Sequence, residues 1–284
     1  MKRLYLIVLI CNLLSISLFA YERKPKEYWL PDYKEKVGLM YGFNFDANSN
    51  YIWRGFYVSA LGFQTDATIG YGGLYMNMWW NLSATDWKFT ALMPEVDMSI
   101  GFSRWGLNVY FIHMYYFDHY ADGSMSRFFD FGNHAPSWDK DHNGGGGTTS
   151  EWRISYRVSD NLPLSIMLCT RTFGRDGYYK DGELKRAYSS YIELGYDFNL
   201  PHDLCLAARL GMTPWTSCYT NFQGTFAVCN ISARLTWSYE LSSHWVVSPF
   251  AHLMLNPYDL SHKACINDKE NPILWNIGCS IHLK

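Results

Sequence analysis

The sequence predicts an all-β protein, specifically a transmembrane antiparallel up-and-down β-barrel of about 12 strands, and three observations lead there. The chain opens with an export signal. After it, hydrophobic and aromatic residues recur with a period of two, which places them on one face of successive strands. The connections between these segments alternate between tight and long, as in a barrel with short periplasmic turns and long external loops.

The export signal spans residues 1–20. Lys2 and Arg3 precede an apolar run from Leu4 to Leu14, and Ser15 to Ala20 lead to a cleavage point before Tyr21-Glu22-Arg23-Lys24. Residues 21–35, with Pro25 and Pro31, read as a polar periplasmic lead-in, and residues 36–284 as the barrel. Beyond the signal no apolar run approaches the roughly 20 residues of a membrane helix. The net charge of −2, without a block of like charge, gives nucleic acid nothing to bind.

Alternation places strands near 37–57, 61–71, 73–83, 91–103, 106–117, 149–159, 162–174, 186–199, 203–213, 225–240, 244–255 and 272–283. The first is read as one strand, with Val37, Leu39, Tyr41, Phe43, Phe45, Tyr51, Trp53 and Tyr57 on one parity. Tight turns fall at Gly72-Gly73, Arg104-Trp105, 159–161, 200–202 and 241–243. Long loops fall at 84–90, 118–148, 175–185, 214–224 and 256–271, while the first connection, near Ser59, reads as short. Sets such as Leu74, Met76, Met78, Trp80 and Leu82, or Ile273, Trp275, Ile277, Cys279 and Ile281, suit a lipid-facing surface. A soluble sandwich also alternates; loop asymmetry, the export signal and aromatic residues near strand ends favour the barrel.

Ser49 to Gly55 carries a Ser-x-Tyr-x-x-Arg-Gly pattern. Gly73-Leu74-Tyr75, Pro94-Glu95-Val96-Asp97 and Tyr115-Tyr116 follow it in order. In these motifs, which fall in the first half, the chain resembles the TorF-type outer-membrane porin family. The resemblance implies a barrel for passive transport and singles out Arg54 as its best-matching residue.

Parity directs Arg54, Arg153, Arg157, Arg171, Arg209 and Arg234 into the lumen, with Asp66, Glu95, Asp97, Glu151, Glu193 and Asp197 as counter-charges. About 12 strands leave a narrow, partly filled interior. Two readings follow: paired ions stiffening a plugged lumen, or an arginine ladder opposite a carboxylate wall that orients small polar or anionic solutes. The expected function is a narrow outer-membrane porin whose partners are outer-membrane lipid, the barrel-assembly machinery and small solutes. The alternatives are a non-conducting structural or adhesion barrel acting through its loops, and a rim-sited lipid hydrolase.

A hydrolase needs a serine within hydrogen-bond reach of a histidine. Folding the hairpin about Arg104-Trp105 sets Phe102 against Leu107 and Val96 against His113, which points His113 outward near the loop-side rim. No serine of matching parity stands opposite, so His113 reads as an interfacial imidazole and no enzymatic activity is expected. Asp139, Asp141 and Asn143, followed by Gly144, have the opening spacing of a calcium loop, but Ser150 stands where its closing glutamate belongs. A flexible polar loop is the competing reading. No other cofactor is expected. The cysteines lack any C-x-x-C spacing, and Cys218 with Cys265 is the one pair placed in neighbouring loops.

Overall fold

A computed structural model describes residues 38–88, 92–117, 128–135, 147–159, 161–224, 226–258 and 273–283. Strand β1 spans Leu39–Asn48, followed by a small hairpin of β2 (Tyr51–Trp53) and β3 (Phe56–Ser59). Strands β4 (Gly62–Tyr71), β5 (Leu74–Ala84), β6 (Leu92–Arg104), β7 (Leu107–Tyr116), β8 (Thr148–Arg157) and β9 (Leu164–Gly174) come next. A second small hairpin, β10 (Gly177–Lys180) and β11 (Glu183–Arg186), precedes β12 (Ser190–Leu200), β13 (Leu204–Thr213) and β14 (Ala227–Trp237). The short β15 (Tyr239–Glu240), then β16 (Trp245–Leu255) and β17 (Ile273–Leu283), complete the described chain.

Twelve of these form the wall. Consecutive wall strands pair antiparallel from β1 through β4 to β9 and on through β12, β13, β14, β16 and β17, and β17 pairs back with β1. Closure leaves no free edge, so every stave has two hydrogen-bonding neighbours. The staves run 10 to 13 residues, the length a tilted strand needs to cross a bilayer core.

Tight turns are built where the backbone can turn left-handed. Gly72 and Gly73 both have positive φ, as do Trp105 and Gly106, the geometry that matches the right-handed twist of paired strands. The second turn corrects the expected register. Arg104 pairs with Leu107 and Phe102 with Val109, so His113 lies opposite Met98 and not Val96. The shift is by two residues, which leaves every side chain on its expected face.

The distribution of polarity is that of a membrane barrel turned inside out relative to a soluble domain. Leu74, Met76, Ile100, Trp152, Ile154, Leu168, Trp275 and Ile277 stand exposed on the outside. Asn44, Asp46, Gln64, Thr68, Asn81, Ser248, Asn276 and Ser280 are buried within. An apolar surface carried around a whole wall far exceeds the few hundred Å² that soluble monomers expose, and it requires lipid.

The first connection departs from expectation. The segment 37–57 is not one strand: the ladder stops at Asn48, and residues 51–59 fold into a separate two-stranded sheet that pairs with no stave. The connection is therefore long, like the others at that end.

Candidate functional site: the lumen and its inserted hairpin

The first loop enters the barrel because its sequence supplies a break, an anchor and a turn. Ser49 supplies the break: its hydroxyl accepts from the Ile277 N–H at 2.8 Å and donates to Asn276 Oδ1 at 3.2 Å. Asn50 Nδ2 donates to the Trp275 carbonyl at 2.8 Å, so the chain leaves the ladder held against β17. Tyr51 then packs on Trp79, a β5 side chain buried inside, with ring centroids 5.6 Å apart. At the tip, Arg54 and Gly55 adopt φ of 47° and 92°, the two positive values a type I′ turn demands.

The tip is clamped from three sides. Arg54 Nη1 donates to Glu151 Oε2 at 3.0 Å and to the Tyr219 hydroxyl at 2.8 Å. Gly55 O accepts from Asn256 Nδ2 at 3.1 Å, and Gly55 N–H points at Met254 Sδ. Tyr219 belongs to a single 3-10 turn, Cys218–Thr220, in the loop between β13 and β14. Its ring packs against Trp53 and Phe56 of the hairpin and Tyr191 of the wall. A left-handed arginine is uncommon and costs about 1–2 kcal/mol. It persists here because ring contacts and ion pairs leave it no other place.

Glu151 is fully buried and is the hub of the upper lumen. Besides Arg54 it receives Arg153 Nε at 2.8 Å and lies 3.5 Å from Arg171 Nε. Arg153 also donates to the Tyr110 hydroxyl. Lower down, Asp197 binds Arg209 Nη1 at 2.7 Å and Arg157 Nη1 at 3.4 Å, while Glu193 takes the Tyr191 hydroxyl at 2.6 Å and faces Arg209 at 3.8 Å. Arg234 stacks its guanidinium 3.7 Å over the Phe250 ring.

The structure separates the twelve residues expected to line the lumen into groups. Asp66, Glu95 and Asp97, joined by Asp46, line the arc formed by β1, β4 and β6. Arg153, Arg157, Arg171, Arg209 and Arg234 line the arc from β8 to β14, with Glu151, Glu193 and Asp197 set among them as partners. Arg54 is the correction. It does not project from the first stave; with Gly55 it forms the tip of the inserted hairpin. Asp46 and Tyr219 escaped notice, the first as one polar residue among many, the second because nothing in the loop sequence shows that it folds inward.

Asp139, Asp141 and Asn143 lie outside the described residues, as do the signal peptide, the lead-in and Cys265. Cys218 is a free, buried thiol, and burial pushes its pKa up to about 12.

The closed ladder, the apolar exterior and the charged interior together define a transmembrane β-barrel of the outer-membrane type. No family model matches the chain, and the search of curated proteins finds no match. Solved structures similar to it include the NanC porin (10% identity, 85% of this chain and 99% of that chain, TM-score 0.45). The KdgM porin has 10% identity over 86% of this chain and 98% of that chain, with a TM-score of 0.39. The toluene transporter TodX of P. putida has 9% identity over 90% of this chain and 89% of that chain, with a TM-score of 0.37. The ladder of strand pairs, and not these likenesses, defines the barrel.

Proposed function

We propose that the protein is a narrow outer-membrane channel for small polar or anionic solutes, inserted by the barrel-assembly machinery and throttled by its own first loop. The observation that carries the reading is the uneven division of lumen charge: Asp46, Asp66, Glu95 and Asp97 line one arc, while on the other five arginines outnumber Glu151, Glu193 and Asp197. A lumen built only as a plug is served as well by apolar packing, because buried ion pairs seldom beat it in stability. Facing walls of opposite sign in a wet space orient dipolar solutes and favour anions along the arginine side. The Ser-x-Tyr-x-x-Arg-Gly resemblance agrees with this reading.

Bilayer recording of the refolded chain tests it. Wild type is expected to give small, anion-preferring steps, and Arg209→Ala is expected to reduce the anion preference while the barrel remains heat-modifiable on a denaturing gel. A demonstrably inserted barrel that conducts nothing, in wild type and when the hairpin is displaced by Gly55→Ala, rejects the channel and leaves a structural barrel.

A further inference from the structure

The outer face of the barrel holds a pair of side chains that the lumen does not use. His113 on β7 and Ser150 on β8 are directly opposite each other in the ladder, and Ser150 Oγ lies 2.7 Å from His113 Nδ1. This reverses the expectation that no serine stands opposite His113; the partner comes from across the 118–147 connection and not from the β6 hairpin. His113 shares its face with Phe111, and Ser150 shares its own with the exposed Trp152 and Ile154, so the pair is on the lipid side near the loop rim.

Two further features set the chemistry of the pair. His113 Nε2 meets the backbone carbonyl of Phe128, an acceptor only, so Nε2 carries the ring proton and Nδ1 presents its lone pair to the serine hydroxyl. A serine, a base within hydrogen-bond reach and a third group that orients the base are the signature of an activated nucleophile. The register between β8 and β9 slips at Ser150/Glu151, an irregularity of the kind that re-aims a side chain beside a site. Over the imidazole lie Phe128, Phe129 and Phe131, with ring centroids 5.1, 6.2 and 5.0 Å away. Phe129 and Phe131 are exposed, while Ser150 is fully buried and His113 nearly so, with the Phe128 ring, itself buried, packed on the imidazole.

We infer that Ser150 and His113 form a nucleophile and base for acyl transfer on carboxylic esters of lipid at the outer rim. Ser150 Oγ adds to the ester carbonyl carbon as its proton passes to Nδ1. The carbon–oxygen bond of the leaving alcohol then breaks, and that oxygen takes the proton from Nδ1. Water attacks the acyl-serine, gives one proton to Nδ1, and releases the fatty acid as Ser150 recovers its proton. The balance is ester plus water to acid plus alcohol, with no other reactant. Substrate reaches the serine by displacing the Phe128 ring with an acyl chain.

The test uses the full chain, refolded in mixed micelles, with p-nitrophenyl palmitate as substrate and a fluorophosphonate probe. Release of p-nitrophenol above the blank is expected, together with a label that mass spectrometry places on Ser150. Ser150→Ala and His113→Asn, each still heat-modifiable, are expected to lose at least a hundredfold of that activity. Should either variant fail to fold, the label on wild-type Ser150 still decides the matter. A folded wild type that takes no label and cleaves no ester overturns the inference, as does cleavage undiminished in Ser150→Ala; the contact is then a structural hydrogen bond only.

Discussion

Replacing Gly55 by alanine separates the hairpin from the wall. A Cβ built at Gly55 falls 2.1 Å from the Cys229 carbonyl oxygen and 3.1 Å from Asn256 Nδ2. The first of these is backbone of β14, at the irregularity flanked by the Asn230–Gly211 and Val228–Met212 pairs with β13, and moving it means shifting the wall rather than swinging a side chain. The φ of 92° adds strain, because an L side chain rarely adopts it. The tip must withdraw, and Arg54 leaves Glu151 and Tyr219 as Trp53 and Phe56 leave the Tyr219 ring. A hydrogen bond to a charged group contributes about 1.5–3 kcal/mol, and an aromatic contact about 0.5–1.5 kcal/mol. Losing one contact of each kind costs the docked state about 2–4.5 kcal/mol, or roughly 30- to 1,600-fold in its equilibrium at ~1.4 kcal/mol per tenfold. The hairpin pairs with no stave, so the wall should survive. Larger unitary conductance than wild type is expected in a planar bilayer, with heat-modifiability retained and Trp53 emission shifted to the red. Wild-type conductance together with wild-type Trp53 emission would refute the claim that the tip is seated against β14.

Three further outcomes follow from the same contacts. Glu151→Ala strands three guanidiniums and should cost about 3–5 kcal/mol, whereas Arg54→Ala leaves Glu151 with Arg153 and Arg171 and should cost about 1.5–3 kcal/mol; urea titration of the refolded barrel in lipid vesicles ranks the two, and the reverse order contradicts the hub. Cys218, whose pKa burial pushes up to about 12, stays a protonated thiol at pH 8 and should resist iodoacetamide in the folded barrel, yet react once the chain is unfolded in detergent and heat. Asp197→Asn removes the charge that pairs Arg209 at 2.7 Å and Arg157 at 3.4 Å, and reversal potentials should move toward greater anion preference; movement toward cations would count against the arginine arc as the conducting wall.

How much of this could be read from the sequence depended on whether a feature repeats. The staves repeat a period of two and are bounded by short polar, glycine or proline turns, so eleven segments lie within a few residues of where alternation puts them. The first did not, because β2 and β3 also alternate and kept the parity of β1, hiding a reversal inside an unbroken pattern. The signal was present in Arg54-Gly55, a poorer I′ pair than Asn-Gly since arginine seldom turns left-handed. The Ser-x-Tyr-x-x-Arg-Gly residues were legible as a motif but not as an inserted hairpin: Ser49 ends the ladder, Tyr51 stacks on Trp79, Arg54 anchors on Glu151 and Gly55 clears Cys229. Ser150 stayed hidden for a different reason. Its partner is joined to it by a long connection, and register across such a gap is set by the whole closed wall rather than by local turn chemistry.

The hairpin also carries a record of assembly. Its partners lie far along the chain: 97 residues away at Glu151, 165 at Tyr219 and 201 at Asn256. Contacts of such separation form late, once the intervening chain has been laid down. Asn256 follows β16, so the hairpin's seat does not exist until nearly all staves are in place. The lumen must therefore stay unobstructed while the wall is being built and acquire its obstruction at the end. In time-resolved refolding, the Trp53 signal should lag behind heat-modifiability; a Trp53 change preceding closure would mean the hairpin templates the wall.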